Sequence, residues 1–458
     1  MTSGLTCVAG LGVSGTAAAR VLAGRGERVV VLEAVEGDRQ RAAAAELARL
    51  GVEVRFGASA PPEGTTRLVT TGWAPHHPLV AAALDRGVEV VGEVELAWRL
   101  RPGQAAPWLA LTGTNGKTTA VRMLTSILAA AGHRALAVGN VGVPVVEAVG
   151  GPYDVLAVEL SSFQLHWSST LAPQAAAVLN VAPDHLDWHG SLEAYAAAKA
   201  RVFERAGTVV YNADDEIAAK LAEPHAGRKT VGFTLQVPRA GQLGVVEDLL
   251  VDRAFCPDPV HAAEELATLA DVRPFAPHNV ANALAAAALA RAHGVPARAV
   301  RQGLLDFVPD PHRMEFVERV GEVDYVNDSK ATNPHAAAAA LAAYPSIVWI
   351  AGGRLKGADV EDLVRRAAPR LRGAVLLGAD RARIAEAMAR HAPNVPVVDV
   401  AGQDTGVMDR VVTEAAALAS PGDTVLLAPA AASLDMFDGY PARGEAFARA
   451  VHELGRRG

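Results

Sequence analysis

The sequence predicts an α/β protein with more than one domain. With 458 residues, the chain is longer than a single hydrophobic core usually supports. A typical domain has about 100–200 residues, which predicts two to four domains. Short apolar segments alternate with helical segments, which is typical of parallel strands joined by crossover helices. Toward the C-terminus every polar cluster follows an apolar strand, as ligand sites of doubly wound sheets do.

Composition excludes several classes of protein. The net charge is −7 and there is no basic tail or patch, so neither nucleic acid nor an anionic membrane is an expected partner. Cys7 and Cys256 are too few for a disulfide framework. The first residues lack the pattern of a signal peptide, and no apolar run of about 18 residues occurs. We therefore expect a soluble, cytoplasmic protein that acts on small molecules.

The first predicted βα unit contains a glycine-rich turn. A strand at residues 6–9 precedes G-x-G-x-x-G from Gly10 to Gly15, a helix at residues 16–25 follows, and the next strand ends at Glu33. This is the dinucleotide fingerprint, in which a diphosphate lies on the helix N-terminus. A nucleotide-sugar carries the same diphosphate, and a tight turn without a ligand is the alternative. A linker is expected at residues 101–107.

The strand at residues 108–112 leads into a second glycine-rich loop, which is the centre of the predicted site. Its residues are Gly113, Thr114, Asn115, Gly116, Lys117, Thr118 and Thr119. Glycines let backbone N–H groups approach phosphate oxygens, while the Lys and a hydroxyl contact the terminal phosphates and Mg²⁺. Leu111 stands where the usual G-x-x-x-x-G-K-[ST] loop has its first glycine. We expect ATP binding here, and a strand-to-helix turn without phosphate is the alternative.

Polar side chains also follow the next two predicted strands. Glu159 ends the strand at residues 154–160, where a carboxylate one strand from a phosphate loop would be a natural Mg²⁺ ligand. Residues 183–190 contain two aspartates and two histidines after the strand at residues 175–181. A zinc site is the alternative there, but it lacks cysteine partners and an H-x-x-x-H helix.

Lysine usage selects further candidates. Only six of the 43 basic residues are lysines, and Lys117, Lys199, Lys330 and Lys356 all lie in segments that are chemically rich. Unlike Arg, Lys has a pKa that can fall and a nucleophilic neutral form. On a helix predicted at residues 193–206, Lys199 shares a face with two aromatic residues. A snorkelling Lys is the alternative to a buried amine that could become a carbamate.

In sequence order, the motifs resemble those of the Mur ligases along essentially the whole chain. They are Thr112-Gly-Thr-Asn-Gly-Lys-Thr118, Glu159-Leu-Ser-Ser-Phe-Gln-Leu165, Asp184-His-Leu-Asp187, His278-Asn-Val-Ala-Asn282, Pro311-His-Arg313 and Asn327-Asp-Ser-Lys-Ala-Thr-Asn333. The last motif, Ser161–Leu165 and Ala430-Ala-Ala-Ser-Leu-Asp435 resemble the branch that adds D-glutamate.

The resemblance implies three domains. These are an N-terminal Rossmann-like domain for a UDP-sugar (residues 1–104), a central P-loop ATPase with a mixed sheet (105–308) and a C-terminal Rossmann-like domain for the amino acid (309–458). It also implies that ATP activates the carboxylate of UDP-N-acetylmuramoyl-L-alanine as an acyl phosphate, which D-glutamate then attacks. A monomer is expected.

The resemblance further implies roles for individual residues. Lys117 would contact the β- and γ-phosphates, Thr118 and Glu159 would hold one Mg²⁺, and His185 with a carbamoylated Lys199 would hold a second. The other ATP contacts would be Asn279, Asn282, Arg313, Asp328 and Lys330. The D-glutamate carboxylates would be bound by Lys330, Thr332, Lys356, Ser433, Leu434 and Tyr440. The UDP-sugar peptide would be bound by Gly12, Val13, Ser14, Gly15, Asn140, Ser161 and Gln164.

Three departures from the family pattern accompany these motifs. Ala34-Val35 replaces a common Thr-Arg pair, Thr70-Thr-Gly-Trp73 is one residue shorter than the family loop, and Trp188 replaces a polar residue. A folylpolyglutamate-synthase-type ligase, a dehydrogenase and a non-catalytic nucleotide-binding protein are the alternatives. The Gly10–Gly15 fingerprint argues against the first, the four lysines against the second and the His185–Lys199 cluster against the third.

Overall fold

The structure, a computed structural model, describes residues 4–402 and 406–457. These residues form three β-sheets and two compact units. The first unit ends at Val272 and resumes over Val280–Phe307, and it contains two of the sheets. The second unit comprises Arg273–Asn279 and the chain from Val308 onward. The predicted α/β class is confirmed.

The N-terminal sheet is parallel, with the strand order β3-β2-β1-β4-β5. Its strands are β1 (Leu5–Ala9), β2 (Val29–Glu33), β3 (Glu53–Phe56), β4 (Thr65–Thr70) and β5 (Glu89–Gly92). Its helices are α1 (Val13–Gly24), α2 (Asp38–Ala48), α3 (Pro78–Asp85) and α4 (Glu93–Leu100). Strand β1 and the valine-rich β2 are almost fully buried, as expected for strands covered by helices on both faces.

The central sheet has the order β14-β13-β12-β11-β10-β9-β6-β8-β7, parallel from β7 to β12 and antiparallel beyond. Its strands are β6 (Trp108–Thr112), β7 (Ala135–Gly139), β8 (Val155–Glu159), β9 (Ala175–Val178), β10 (Thr208–Asn212), β11 (Lys229–Phe233), β12 (Gln242–Val246), β13 (Leu249–Asp252) and β14 (Glu264–Thr268). The loops after β6, β8 and β9 therefore open side by side at one edge.

The helices that follow these strands are α5 (Lys117–Ala130), α6 (Val145–Ala148), α7 (Ser162–His166), α8 (Leu186–His189), α9 (Leu192–Ala200), α10 (Glu216–Ala222), α11 (Pro277–Ala292) and α12 (Ala297–Asp306). Helices α5 and α12 approach closely: a Cβ added to Gly303 would lie 2.3 Å from the Cα of Ile127. This contact supports the helix that carries Lys117.

The C-terminal sheet has the order β15-β16-β20-β17-β18-β19, and only β15 is antiparallel to its neighbour. Its strands are β15 (Glu315–Val320), β16 (Val323–Asn327), β17 (Ile347–Gly352), β18 (Leu371–Leu377), β19 (Val397–Asp399) and β20 (Thr424–Leu427). Its helices are α13 (Pro334–Leu341), α14 (Glu361–Ala367), α15 (Arg381–His391), α16 (Val407–Leu418) and α17 (Tyr440–Arg457).

Several predicted boundaries were wrong by a few residues. Helix α1 begins at Val13 rather than at residue 16, because the glycine-rich turn already enters the helix. Helix α9 ends at Ala200, and a 3₁₀ turn over Arg201–Phe203 replaces the rest of the predicted helix. In the described part of the chain, no helix combines the length and apolarity needed to cross a membrane.

Candidate active site

The loop between β6 and α5 has the backbone that a phosphate site needs. Gly116 has φ 82°, in the left-handed region, and is the N-cap of α5, so Lys117 begins the helix. A Cβ on Gly116 would lie 2.3 Å from Oδ1 of Asn282, and one on Gly113 would lie 3.0 Å from Cβ of Leu179. Glycine is therefore required at position 116, Gly113 is tightly packed, and Asn282 on α11 lies beside the loop.

Asn180, which sequence reasoning missed, fixes this loop in place. Its Oδ1 accepts a hydrogen bond from the N–H of Asn115 at 2.9 Å, and its Nδ2 donates to the carbonyl of Asn115 at 3.1 Å. Its own carbonyl accepts the N–H of Thr114. The available signal was its position directly after strand β9, at the same sheet edge.

Thr114 connects the loop to the segment that carries the other candidate ligands. Its hydroxyl lies 3.1 Å from the hydroxyl of Tyr195 and 3.2 Å from the carbonyl of Ala182. This neutral network uses the hydroxyl of Thr114, a residue that was predicted to contact ATP, to fasten the loop to the segment around Ala182 and Tyr195.

Lys117 and Lys199, two of the lysines selected from the sequence, both donate hydrogen bonds to the carbonyl oxygen of Gly113. Lys117 Nζ donates to Gly113 and Thr114 at 2.9 Å each, and Lys199 Nζ donates to Gly113 at 2.7 Å. Lys199 is 1% exposed, and its Nζ lies 4.5 Å from the ring centroid of Tyr195. The snorkelling alternative was therefore wrong.

Burial, followed by the charge of Lys117, lowers the pKa of Lys199 well below its usual value. The neutral amine is thereby favoured, and a neutral amine is the nucleophilic form of lysine. Lys199 is the described lysine best suited to covalent modification, because it is both buried and close to a second cation.

Glu159 ends β8 with a carboxylate that is only partly hydrogen-bonded. Its Oε1 accepts from Nδ2 of Asn140 at 2.9 Å, whereas its buried Oε2 has no hydrogen-bond partner. An orphaned carboxylate oxygen beside a phosphate loop fits a hard cation such as Mg²⁺. Across residues 4–402 and 406–457, no group of three or more His, Cys, Asp or Glu side chains has an arrangement that could hold a metal ion by itself.

His185 is held in a left-handed conformation, with φ 52°, at the N-cap of α8. Its Nε2 lies 3.6 Å from Oδ2 of Asp184, and its ring centroid lies 4.7 Å from that of Phe163. His189, at the other end of α8, contacts the Ser162 hydroxyl at 2.9 Å. Burial and the neighbouring histidines lower the pKa of His189 to about 4, so His189 is neutral at pH 7.

Two of the sequence departures meet in one interface. The indole N–H of Trp188 donates to the carbonyl of Gly72 at 3.1 Å, and that of Trp167 donates to the carbonyl of Trp73 at 2.9 Å. A Cβ on Gly72 would lie 3.3 Å from Cβ of Phe163. The shortened loop after β4 is therefore fastened to the segment that carries His185.

The residues predicted to contact the UDP-sugar peptide have defined local roles in the structure. Ser161 and Gln164 form a reciprocal capping box at the start of α7, and Asn140 orients Glu159. The glycine-rich turn is tight, since a Cβ on Gly15 would lie 2.0 Å from the carbonyl of Gly10. Gly12, Val13 and Ser14 form the start of α1, and Val13 is exposed.

The carboxylate of Glu33 closes the glycine-rich turn. It accepts the N–H groups of Leu11 at 2.7 Å and Val35 at 3.2 Å. The end of β2 is thereby tied to the turn that follows β1.

The second unit gathers most of the predicted amino-acid ligands at the carboxyl ends of its strands. Lys330 Nζ lies 3.8 Å from the ring centroid of Tyr440. Thr332 follows in the same loop, and Ser433 is buried after β20. Lys356, with φ 51°, and Leu434 are exposed.

Three residues that were predicted to contact ATP lie in the second unit and have local partners there. Asp328 accepts the N–H of Met314 at 3.2 Å, and burial raises the pKa of its carboxyl to about 7. Arg313 lies 3.8 Å from Asp310, and Asn279 Nδ2 donates to the carbonyl of Pro274 at 3.0 Å.

Arg443 on α17 is a further residue that sequence reasoning missed. It is 1% exposed, and its guanidinium donates to backbone and side-chain oxygens of the loops that carry Lys330 and Ser433. Nothing in the sequence separated it from the many other arginines.

Two family models and several relatives match this chain. Residues 111–290 match the model of the Mur ligase middle domain, and residues 312–431 match that of the Mur ligase glutamate ligase domain. UDP-N-acetylmuramoylalanine–D-glutamate ligase of Thermobifida fusca is 62% identical, covering 98% of each chain. The ligase of the same name from Streptomyces avermitilis is 61% identical, again covering 98% of each chain.

A solved structure shares the fold. UDP-N-acetylmuramate–alanine ligase from Thermotoga maritima covers 98% of this chain and 100% of its own, with a TM-score of 0.57 and 17% identity. At that identity the likeness concerns the three-domain α/β architecture alone.

Proposed function

The chain belongs to the Mur ligase family, and we infer that it is the ATP-dependent, ADP-forming ligase that adds D-glutamate to UDP-N-acetylmuramoyl-L-alanine in peptidoglycan precursor synthesis. The observation that carries this function is the 62% identity over 98% of both chains to a ligase of that name. The phosphate loop with Lys117 and Lys199 supports it.

The reaction requires activation because a carboxylate is a poor electrophile toward an amine. The L-alanyl carboxylate attacks the γ-phosphorus of ATP, the bond to the bridging oxygen breaks and ADP leaves. The neutral amine of D-glutamate then attacks the acyl phosphate and loses a proton, and phosphate departs as the amide forms. Lys117 and the N-terminus of α5 stabilise the negative charge of the transferred phosphoryl group.

Magnesium fits the residues at the sheet edge. We propose that Thr118 and Glu159 hold one Mg²⁺, and that His185 and a carbamoylated Lys199 hold a second. The cation would offset phosphate charge during transfer. The orphaned Oε2 of Glu159 supports the first site, and the buried amine of Lys199 supports the carbamate at the second. Carbamate formation joins the neutral amine to CO₂ with loss of one proton.

We propose that residues 1–104 bind the UDP-sugar, residues 105–308 bind ATP and residues 309–458 bind D-glutamate. Each of these spans contains one of the three sheets of the described chain. We propose further that the enzyme is cytoplasmic and that it acts as a monomer, since one chain supplies every candidate ligand named above.

The rivals explain less of the molecule. A folylpolyglutamate-type ligase would leave the first βα unit and its glycine-rich turn without a role. A non-catalytic nucleotide-binding protein would not need a lysine amine buried beside the phosphate loop.

Phosphate release tests the proposal in one assay. We expect release from ATP and Mg²⁺ only when UDP-N-acetylmuramoyl-L-alanine and D-glutamate are both present, because each supplies one partner of the amide. L-Glutamate in place of D-glutamate and a folate acceptor in place of the UDP-sugar are the matched controls. Release with the folate acceptor alone would overturn the assignment.

A further inference from the structure

Arg443 is a buried cation at the centre of the second unit. Its Nε donates to the hydroxyl of Ser329 at 3.0 Å, and its Nη2 donates to the carbonyl of Ser329 at 2.9 Å. Its Nη1 donates to the carbonyls of Ala431 at 3.1 Å and Gly352 at 3.3 Å. One rigid guanidinium therefore joins the loops after β16, β17 and β20.

Each of these loops carries a predicted D-glutamate ligand close to its bond with Arg443. Lys330 directly follows Ser329, Lys356 lies four residues beyond Gly352, and Ser433 lies two residues beyond Ala431. The loop after β17 approaches Arg443 closely, because a Cβ on Gly353 would lie 3.3 Å from Nη1. Backbone hydrogen bonds between Arg354 and Ala432 also join two of these loops, and Arg443 links both of them to the loop of Lys330.

The charge of Arg443 is not neutralised by a contacting acid. Within the part of the chain that the structure describes, no carboxylate forms an ion pair with its guanidinium. Asp435 attracts the guanidinium electrostatically without contacting it. Burial lowers the pKa of Arg443 to about 10, which still leaves it charged at pH 7. Its carbonyl partners are neutral, so a positive potential remains for an anionic ligand.

We propose that Arg443 is a positioning residue for D-glutamate. It holds the loops of Lys330, Lys356 and Ser433 at the separation that two carboxylates require, and its charge favours their binding. This inference rests on the proposed function, because it takes D-glutamate as the ligand of these loops. A purely structural role would instead lower stability and affect all substrates alike.

The test compares Arg443→Lys with Arg449→Lys, a control at an exposed arginine of the same helix. Lys keeps the positive charge, but it lacks the planar, forked guanidinium that donates hydrogen bonds to all three loops. We expect the KM for D-glutamate to rise about tenfold or more, the scale of losing charge-assisted hydrogen bonds. The KM values for ATP and for the UDP-substrate should stay within about twofold, as expected when a loss is confined to one substrate.

Ser329→Ala is the second variant, in case Arg443→Lys does not fold. It removes the hydroxyl that accepts from Nε but keeps Arg443 and the backbone. A selective rise in the KM for D-glutamate, smaller than that of Arg443→Lys, is the supporting result. Unchanged KM in Ser329→Ala, or an equal rise for all three substrates in Arg443→Lys, overturns the inference. The unmodified enzyme is assayed alongside, and failure of the proposed function would appear there as no D-glutamate-dependent phosphate release.

Discussion

Lys199 is buried beside a second lysine, and this placement decides what its amine can do. Removing an ammonium from water and placing it near Lys117 favours the neutral form, which can react with CO₂. A carbamate would convert the position from a hydrogen-bond donor into an oxygen ligand for a hard cation. Lys199 is therefore better suited to react with CO₂ than to form an ion pair.

We expect Lys199→Arg to abolish ligation although positive charge is retained, because a guanidinium does not form the carbamate. The measurement is D-glutamate-dependent phosphate release, with Lys220→Arg as the control at an exposed lysine that pairs with Glu216. Near-normal turnover of Lys199→Arg would refute the metal-ligand role. Correct folding is checked by the thermal unfolding midpoint.

Lys356 offers a prediction at an exposed residue. It has a positive φ and lies exposed in the loop after β17 of the second unit. Lys356→Ala should raise the KM for D-glutamate far more than that for ATP, as expected for lost carboxylate binding. Lys229→Ala, at an exposed lysine on β11, is the control. Equal changes in both KM values would contradict the assignment.

At the scale of elements, α8 is too short to be stable by itself, because helices of about one turn lack the cooperativity of longer ones. It is fixed at its C-terminal end by two side chains: the indole of Trp188 donates to the carbonyl of Gly72, and the ring of His189 contacts the hydroxyl of Ser162. His185 is the N-cap of α8, so its orientation depends on these contacts. The N-terminal sheet thus influences a candidate metal ligand of the central sheet.

Trp188→Phe should lower kcat and raise the Mg²⁺ concentration needed for half-maximal rate, because the ring remains while the donor to Gly72 is lost. A several-fold effect is expected, the scale of one neutral hydrogen bond of about 1 kcal/mol. Trp98→Phe, on the T-shaped pair with Trp108, is the control for the loss of an indole. An unchanged Mg²⁺ dependence in Trp188→Phe would show that this interface does not influence His185.

Across the whole molecule, one arrangement recurs in every sheet: chemistry-bearing loops follow the carboxyl ends of parallel strands. The sequence patterns predicted this arrangement, since apolar strands, glycine-rich loops and rare lysines are local signals. The strand at β6, the helix at α5 and the neighbouring Glu159 all lie where they were expected.

What could not be predicted depends on tertiary hydrogen bonds. Asn180 and Arg443 have no motif, and their importance arises from partners distant in the chain. Conversely, Ser161 and Gln164 were expected to bind substrate, yet their S-x-x-Q spacing equally predicts the capping box that they form. The spacing alone does not separate the two roles.

The second unit is discontinuous in sequence, and this affects how recombination could exchange the C-terminal domains of such ligases. Arg273–Asn279 belongs to this unit, and His278 of that segment lies near the backbone of Ala339 and near Arg313. A single genetic crossover near residue 308 would separate the segment from the rest of its core. New amino-acid specificity by recombination therefore requires two crossovers, or a host chain that already carries a matching segment.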